Sequence, residues 1–322
     1  MRDNPKILLN NDKTAEMATR LKSLVPSATV IECNTYSEVP DAIAQSRPDV
    51  VYSVRFAGSD GFPRDALFSE NGPKWLANGG AGTDHLGLWD TQRVTVTNAA
   101  GIAADMMAEY AMGCFLHFTL DIPGLQADKE GRVWAPRTVR PLKDKTLFIL
   151  GLGHTGRAAA KRAKAFGMHV TGIRARPVPM KNVDVVGSPK DLAFMLEQAD
   201  FILVCTPLTE HTRGLIGKAE VQHMRPGVIL VDVSRGSIVE QSALLDGLES
   251  GRIAAAALDV FETEPLPENN PLWEQGNLII SPHCSSVHAG WEDASFDLFL
   301  SNLKRWMAGE ALVNVVDPAR GY

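Results

Sequence analysis

Six residues near the middle of the chain have the spacing of a phosphate-binding turn. Gly151, Gly153 and Gly156 form a GxGxxG motif between the apolar run 147–150 and the helix-forming run 157–161. In a dinucleotide-binding turn the first glycine permits a sharp bend, the second lets the backbone approach a pyrophosphate, and the third packs helix on strand. The motif predicts a dinucleotide site at the start of a helix, where backbone N–H groups meet phosphate charge. An ordinary glycine-rich turn is the alternative.

Two arginines stand where this kind of site contacts the adenosine ribose. Arg174 and Arg176 follow the strand-like run 169–173. NAD sites usually have an acidic residue at this position, which binds the ribose 2′-hydroxyl. A guanidinium matches the oxygens of a 2′-phosphate instead. The pair predicts a preference for NADP(H), with NAD still possible; exposed surface arginines on an NAD enzyme are the alternative.

Three ionisable residues follow, or lie in loops after, other strand-like runs. They are Arg235, Glu264 and His283. Open α/β sheets place their binding sites at the carboxyl ends of strands, so all three are candidates for chemistry. Taken singly, each has a structural alternative: a surface cation, a loop charge and a structural imidazole.

Short β-rich runs alternate with helical ones along most of the chain. This alternation predicts βαβ units around parallel sheets, and the continuous apolar runs indicate strands covered on both faces. Predicted strands are 7–9, 29–31, 50–54, 94–97, 169–173, 201–205, 228–233, 253–258 and 278–280, and predicted helices are 15–24, 103–120, 192–197 and 291–307.

Residues 121–141 contain three prolines and two glycines and are predicted to form an irregular connection, with Trp134 packed inside it. The predicted helix 192–197 is preceded by Ser188 as N-cap and Pro189 at the first helical position.

A second glycine-rich loop lies at residues 78–85. The absence of side chains at Gly80 and Gly82 would let a small anion reach backbone N–H groups. A plain tight turn explains the same glycines equally well.

Taken together, these segments resemble the D-2-hydroxyacid dehydrogenase family over most of the chain. The resemblance implies two Rossmann-like doubly wound parallel-sheet domains, with the dinucleotide-binding domain at 102–287 inserted into a substrate-binding domain at 1–101 and 288–322. Besides the glycine motif, the stretches that carry it are 80–86, 108–110, 205–208, 233–236, 257–262 and 281–283.

The resemblance implies that Arg235, Glu264 and His283 form the catalytic set of a 2-keto acid reductase. Imidazole releases a proton near neutral pH, so His283 would protonate the substrate carbonyl oxygen. The Glu264 anion would favour the imidazolium and fix its orientation. Arg235 would bind the substrate carboxylate and polarise the carbonyl group.

Further residues are predicted around the cofactor and the substrate, and of these Thr206, Val233 and Asp259 are implied by the resemblance. Arg55, Ala81 and Gly82 join Arg235 as substrate-binding residues, the middle two through their backbone N–H groups. For Arg55 an exposed salt bridge is equally consistent with the sequence. The cofactor-binding residues would be Gly151, Gly153, His154, Thr155, Gly156, Arg174, Arg176, Thr206, Pro207, Val233 and Asp259.

The chain departs from the family pattern in three places. Arg174 replaces the usual aspartate, His154-Thr155 replaces the more common arginine-isoleucine, and Cys284-Ser285-Ser286 follows His283 where small or apolar residues are usual. These differences concern the choice of substrate and cofactor. A role for Cys284 as a thiol nucleophile is disfavoured, because no separate base or oxyanion arrangement accompanies it.

Composition narrows the class of protein further. A length of 322 residues suggests two domains, and a net charge of −6 argues against a nucleic-acid-binding or anionic-membrane-binding surface. The four cysteines are scattered and form no CxxC pair, so neither a metal site nor a disulfide framework is predicted. A cytoplasmic location is expected, and the family implies a homodimer.

The sequence therefore predicts an oxidoreductase that transfers a hydride between NADP(H) and a small 2-keto or D-2-hydroxy acid. Glyoxylate, hydroxypyruvate and pyruvate-like acids are the first candidates. Two alternatives share the scaffold: a dinucleotide-binding corepressor, which often keeps the same three residues, and a dehydrogenase of formate or phosphite.

Overall fold

The computed structural model describes residues 4–54 and 61–321. The chain forms two compact units, each built around its own parallel β-sheet. The first unit contains residues Met1–Ile102 and His288–Tyr322, and the second contains Ala103–Val287.

The first unit has a five-stranded sheet in the order β2-β1-β3-β4-β5, with every neighbouring pair parallel. Its strands are β1 Lys6–Asn10, β2 Thr29–Cys33, β3 Val50–Ser53, β4 Trp75–Asn78 and β5 Thr95–Asn98. Its helices are α1 Thr14–Leu24, α2 Val39–Ser46, α3 Arg64–Leu67 and, much later in the chain, α10 Trp291–Ala308.

Alternate side chains of these strands enter two cores, one on each face of the sheet. Ile7 and Leu9 join the core that contains α1 and α10, whereas Leu8 joins the core that contains α2. Both faces are therefore covered, which is why these strands are continuously apolar. The last helix supplies four buried side chains to the first core, namely Phe296, Phe299, Leu303 and Trp306.

The second unit has a seven-stranded parallel sheet in the order β12-β11-β10-β9-β6-β7-β8. Its strands are β6 Thr146–Leu150, β7 His169–Ile173, β8 Val185–Gly187, β9 Phe201–Val204, β10 Val228–Asp232, β11 Ile253–Leu258 and β12 Leu278–Ile280. Its helices are α4 Ala104–Thr119, α5 Ile122–Gly131, α6 His154–Ala165, α7 Leu192–Gln198, α8 Lys218–His223 and α9 Gln241–Glu249.

The strand order of this sheet reverses direction at β6. Successive strands add on one side through β7 and β8, and the chain then returns to the other side of β6 with β9. A reversal of this kind leaves a crevice at the carboxyl ends of the two strands involved, and ligands of open α/β sheets bind there. The GxGxxG turn follows β6 directly, at this switch point.

The parallel α/β architecture predicted from the sequence is confirmed, and so are the predicted strands, within one or two residues at their ends. The predicted N-cap Ser188 and first-position Pro189 begin a one-turn 3-10 helix, Pro189–Asp191, that leads into α7, and Ser188 forms a capping box with Asp191 there. The sequence patterns missed β4, β8, α2, α3, α8 and α9.

Residues 121–141 contradict the prediction of a purely irregular connection, since α5 occupies much of this segment. Pro123 lies in the first turn, where a missing N–H costs nothing, and the Asp121 carboxylate caps the helix by accepting a hydrogen bond from the Gly124 nitrogen. The prediction that Trp134 is packed is also wrong, because its side chain is fully exposed in this chain.

None of the helices at 4–54 and 61–321 combines the length and apolar character needed to cross a membrane. No cluster of three histidine, cysteine or acidic side chains in those ranges could hold a metal ion.

Candidate functional site

The three glycines of the turn after β6 have different surroundings. Gly151 has φ +110°, and a β-carbon there would lie 2.8 Å from the nitrogen of Thr206. At Gly156 a β-carbon would lie 2.1 Å from the Gly151 carbonyl oxygen, so any larger residue would push the helix off the turn. Gly153 faces open space, with no atom within 4 Å of such a β-carbon. The turn is therefore closed on the protein side and open where a ligand would approach.

The start of α6 is suited to an anion. Its N-cap is Gly153, and no side chain caps the first turn, which leaves backbone N–H groups available at the positive end of the helix dipole. Burial and the nearby positive charge of Arg157 lower the pKa of His154, so its imidazole is neutral near pH 7. These features fit the pyrophosphate of a dinucleotide.

The other residues predicted for the cofactor lie around this turn or on the strands beside it. Arg174 follows β7, half-buried, with Nη1 3.6 Å from the Met180 sulfur, and Arg176 is exposed. Thr206 and Pro207 follow β9, the strand across the switch point. Val233 is buried directly after β10.

His283 and Glu264 form a hydrogen-bonded pair in the second unit. His283 Nδ1 lies 2.8 Å from Glu264 Oε2, and the other carboxylate oxygen accepts a hydrogen bond from the Phe261 nitrogen at 2.9 Å. Both side chains are about one-quarter exposed. His283 has φ +52°, a left-handed conformation that is costly for a residue with a side chain and is retained only where the surroundings enforce it.

The environment keeps Glu264 ionised. Burial alone would raise the pKa of this carboxyl, but hydrogen bonds from His283 and the Phe261 nitrogen, with the charges of His283 and Arg235, outweigh it and lower the pKa below the ordinary 4.5. A permanent anion beside Nδ1 holds the ring so that Nε2 is directed away from it.

Arg235 lies in the loop after β10, partly buried, and its Nη1 donates to the Ser234 carbonyl oxygen at 2.7 Å. The next residue locks this loop against the loop that carries Glu264: a β-carbon at Gly236 would lie 1.8 Å from the Phe261 carbonyl carbon. This contact fixes the Arg235 loop relative to the Glu264 loop. The positive charge of Arg235 contributes to the low pKa of Glu264.

The sequence patterns did not single out Asp232, the last residue of β10. Its buried carboxylate accepts hydrogen bonds from the Ser234 nitrogen at 2.8 Å and from the Ser234 hydroxyl, so it shapes the turn before Arg235. Burial raises the pKa of Asp232 to about 7, with a further rise from the charge of Asp259, against the lowering effects of Ser234 and Arg235.

Asp259 lies at the end of β11 and is 1% exposed. Its carboxylate accepts hydrogen bonds from the Ser281 hydroxyl at 2.6 Å and from the nitrogens of Cys284 and Ser285 at 2.8 and 3.0 Å. These donors lie on both sides of His283 in the chain. Asp259 was predicted to line the cofactor site, and its carboxylate is engaged with the His283 loop; the Ser281 contact was not anticipated.

In the first unit, the glycine-rich loop after β4 is held by two buried asparagines. Asn78 Nδ2 donates to the carbonyl oxygens of Gly80 and Gly82, and Asn98 Nδ2 donates to that of Ala81. Because the C=O and N–H of one peptide unit point in opposite directions, the N–H groups of Ala81 and Gly82 face away from these asparagines.

The sequence patterns missed both asparagines, although each ends a strand, and Asn78 and Asn98 are paired in register.

Two further residues that the sequence analysis discussed, Arg55 and Cys284, have different outcomes. Arg55 lies outside the described residues. Cys284 is exposed overall, but the loss of some of its hydration and the charge of Asp259 raise the pKa of its thiol, which disfavours the thiolate that a nucleophile requires.

Residues 112–285 match the family described as D-isomer specific 2-hydroxyacid dehydrogenase, NAD binding domain. The match covers more than half of the chain, including the glycine turn and the loops that carry Arg235, Glu264 and His283. The chain belongs to this family. The family prediction made from the sequence is confirmed.

Curated relatives extend the similarity to the first unit. The chain is 33% identical over 266 residues to the glyoxylate reductase of Thermococcus litoralis, covering 79% of this chain and 80% of the relative. It is 32% identical over 260 residues to the D-3-phosphoglycerate dehydrogenase of Methanocaldococcus jannaschii, again over 79% of this chain. The match spans only 49% of that longer relative.

Solved structures of the family share the whole architecture. A D-isomer specific 2-hydroxyacid dehydrogenase from Xanthobacter autotrophicus Py2, solved in complex with NADPH and MES, superposes with a TM-score of 0.83 at 29% identity. The match covers 99% of this chain and 100% of that structure.

Membership of the 2-hydroxyacid dehydrogenase family assigns the protein to the NAD(P)-dependent oxidoreductases, as the sequence predicted. The relatives do not favour the corepressor or the formate and phosphite alternatives.

Proposed function

We propose that this dehydrogenase reduces a small 2-keto acid to the D-2-hydroxy acid with NADPH, using Arg235, Glu264 and His283. The observation that supports it most directly is the pairing of His283 with an ionised Glu264 at 2.8 Å. Bound NADPH supplies the hydride, and the protein supplies a proton donor, a carboxylate-binding group and the alignment of both.

His283 is proposed to protonate the carbonyl oxygen as hydride reaches the carbon. The Glu264 carboxylate accepts from Nδ1, fixes the orientation of the ring and would stabilise the imidazolium that proton transfer requires. The opposite ring nitrogen, Nε2, then carries the proton to be transferred. In the reverse direction the same nitrogen accepts the hydroxyl proton of the 2-hydroxy acid.

Arg235 is proposed to bind the carboxylate of the substrate. Its guanidinium donates to the Ser234 carbonyl oxygen, and the close approach of Gly236 to the Phe261 backbone restrains the loop, so less ordering is needed when substrate arrives. A fixed positive charge also stabilises the negative charge that develops on the carbonyl oxygen. The substrate contacts predicted for Ala81 and Gly82 stay predictions.

The test is NADPH oxidation, followed at 340 nm, with glyoxylate, hydroxypyruvate, pyruvate and formaldehyde. The three keto or aldehyde acids are expected to turn over at about 1–1000 per second for the best substrate. Formaldehyde lacks the carboxylate that Arg235 would bind and serves as the matched control. Chiral analysis should identify the D-isomer where the product is chiral.

The relative named D-3-phosphoglycerate dehydrogenase makes D-3-phosphoglycerate a necessary comparison, assayed in the oxidative direction with NADP and NAD. A clear preference for this compound would replace the small-acid assignment. Absence of turnover with every 2-keto and 2-hydroxy acid in the panel would contradict the proposed function.

The preference for NADPH is proposed on the basis of Arg174. This residue is half-buried at the end of β7, where the second strand of a dinucleotide fold reaches the adenosine ribose, and no carboxylate occupies that position in the sequence. The Xanthobacter relative, solved with NADPH, supports the same assignment.

Replacing Arg174 by aspartate tests this preference. The variant is expected to lose at least about tenfold in kcat/KM with NADPH and to gain with NADH, because aspartate repels a 2′-phosphate and accepts from a 2′-hydroxyl. Arg176→Asp, two residues further on, is the matched comparison. If the wild-type protein already has the higher kcat/KM with NADH, the preference is refuted.

The remaining proposals concern organisation. The unit at 103–287 is proposed to bind the dinucleotide and the other unit to bind substrate, in a cytoplasmic homodimer. Support for the dimer comes from residues 120–139, where Leu120, Leu125, Val133, Trp134 and Val139 are exposed large apolar side chains. Sedimentation velocity should give about twice the 34.9 kDa of the chain, and a smaller particle would exclude the dimer.

A further inference from the structure

The loop that carries His283 is held from behind by a buried network that the proposed reaction does not use. The Asp259 carboxylate accepts from the Ser281 hydroxyl, two residues before His283, and from the Cys284 and Ser285 nitrogens just after it. Three donors spanning five residues therefore converge on one carboxylate. The position of the His283 backbone depends on where that carboxylate and its donors lie.

One further side chain completes the network from a different element. Tyr110, on α4, places its hydroxyl 2.7 Å from the Ser281 Oγ. Carboxylate oxygens only accept, so the Ser281 hydrogen points to Asp259, and the Ser281 oxygen is left to accept from Tyr110. Burial raises the pKa of the Tyr110 phenol, so it keeps the hydrogen that it donates.

The conformation of His283 explains why such support is needed. Its φ of +52° is unfavourable for any residue with a β-carbon, and the loop would relax from it without restraint. The Glu264 contact restrains the ring, whereas the Asp259 network restrains the backbone on both sides of the ring. A chain of hydrogen bonds is also weakened along its length when one member is lost.

We propose that Tyr110 is a positioning residue, whose hydroxyl acts through Ser281 and Asp259 to hold His283 in its hydrogen bond with Glu264. The proposal rests on the proposed role of His283 as proton donor. Tyr110 itself contacts neither Glu264 nor His283 by hydrogen bond in the described residues, so its effect would be on the geometry of proton transfer rather than on binding.

The first measurement uses Tyr110→Phe, which removes only the hydroxyl. For reduction of the best 2-keto acid, kcat should fall about 5- to 30-fold, the factor that corresponds to one or two kcal/mol. KM and the Kd of NADPH should stay within about twofold, because neither Arg235 nor the glycine turn depends on this hydroxyl. A change confined to KM would contradict the proposal.

A control on the same helix separates positioning from general destabilisation. Thr119→Val removes a second hydroxyl of α4, which is buried and donates only within its own helix, to the carbonyl oxygens of Phe115 and Leu116. This variant should lower the melting temperature about as much as Tyr110→Phe and leave kcat unchanged. An equal fall in kcat in both variants would overturn the proposal.

A double-mutant cycle tests whether the effect passes through Ser281. In a Ser281→Ala background, Tyr110→Phe should change kcat less than twofold, because the link to Asp259 is already broken. Ser281→Thr keeps the hydroxyl and should restore most of the wild-type kcat. Full additivity of the two substitutions would show that Tyr110 acts by another route and would overturn the proposal.

A spectroscopic readout keeps this test separate from the proposed function. In the NADP-bound protein, the imidazole N–H resonance lost in His283→Gln reports the hydrogen bond to Glu264. It should shift or broaden in Tyr110→Phe but not in Thr119→Val. If the wild type reduces no 2-keto acid, the proposed function fails, and the resonance still tests whether Tyr110 positions His283. If the wild type is active but neither the resonance nor kcat changes in Tyr110→Phe, only the positioning role fails.

Discussion

At the residue scale, the proposed chemistry depends on the hydrogen bond between Glu264 and His283. Glu264 is ionised because it accepts from His283 and the Phe261 nitrogen, which outweighs the effect of its partial burial. Without these donors, a glutamate in the same partly buried place would have a raised pKa.

Replacement of His283 by glutamine should abolish most proton transfer while leaving cofactor binding intact. Glutamine can still accept from or donate to neighbouring groups, but it carries no titratable proton. The expected loss in kcat is about 10²–10⁴-fold, the usual contribution of a general acid. NADPH binding, measured by fluorescence titration, should be unchanged; wild-type turnover by this variant would refute the role of His283 as proton donor.

The lowered pKa of Glu264 predicts a pH-dependent contribution to stability. The folded pKa lies below the ordinary 4.5, so the contribution is fully present above that ordinary value and is lost as the pH falls through the folded pKa. Urea unfolding of the wild type and Glu264→Gln between pH 3 and 7 should therefore show the larger difference at pH 7, shrinking below about pH 4.5. A difference that stays constant over this range would contradict the depressed pKa.

At the element scale, the turn between β6 and α6 shows that three identical residues serve three different purposes. Gly151 adopts a left-handed φ against Thr206, Gly156 lets α6 approach the Gly151 carbonyl oxygen, and Gly153 leaves space open toward solvent. Two of the glycines are therefore needed for the fold, whereas the packing around the third does not require a glycine.

Two alanine substitutions should separate these purposes. Gly153→Ala should keep the melting temperature within about 2 °C, since its φ of −77° suits alanine, but raise the Kd of NADPH at least about tenfold because the methyl group occupies the approach to the turn. Gly156→Ala should lower the free energy of unfolding by about 1–3 kcal/mol through overpacking.

Calorimetry and NADPH titration on the same preparations decide between the two effects. If Gly153→Ala binds NADPH as tightly as the wild type, the turn does not contact the pyrophosphate, and the proposed cofactor site is wrong in this part.

At the scale of the whole molecule, the two units differ in how their cores are assembled along the chain. All residues of the two cores of the second unit come from the continuous segment 103–287. A core of the first unit instead combines β1, β3, β4 and α1 with α10, which is separated from them by the entire second unit.

This difference predicts unequal behaviour of fragments. A fragment of residues 103–287 should unfold cooperatively and bind NADPH, because it contains its complete cores and the glycine turn. Residues 1–102 alone should not fold, because the face of the sheet that receives Phe296, Phe299, Leu303 and Trp306 would be exposed.

Circular dichroism melts of both fragments test this expectation. The control is a protein in which residues 288–322 are fused to residues 1–102 through a flexible linker. A cooperative melt of 1–102 alone would show that α10 is dispensable for the first sheet.

Much of this organisation was predictable because it depends on local patterns. Continuous apolar runs such as 228–233 and 253–258 identify buried parallel strands, and the glycine motif identifies the turn after β6. Short or less apolar elements were missed: β8 has only three residues, and β4 lies beside the glycine-rich loop. At 121–141 the prolines and glycines suggested irregular chain, but Pro123 lies in the first turn of α5, where a proline is tolerated.

Local patterns along the chain were enough to predict the α/β class, the place of the GxGxxG turn and the candidates Arg235, Glu264 and His283, since each depends on residue type and near neighbours. Which groups meet in space depends on the tertiary structure. Hydrogen bonds from Tyr110 to Ser281, 171 positions apart, and from Ser281 to Asp259, and the contact of Gly236 with Phe261, depend on the order of strands in the sheet. That order is fixed by packing between distant segments, and no local pattern encodes it.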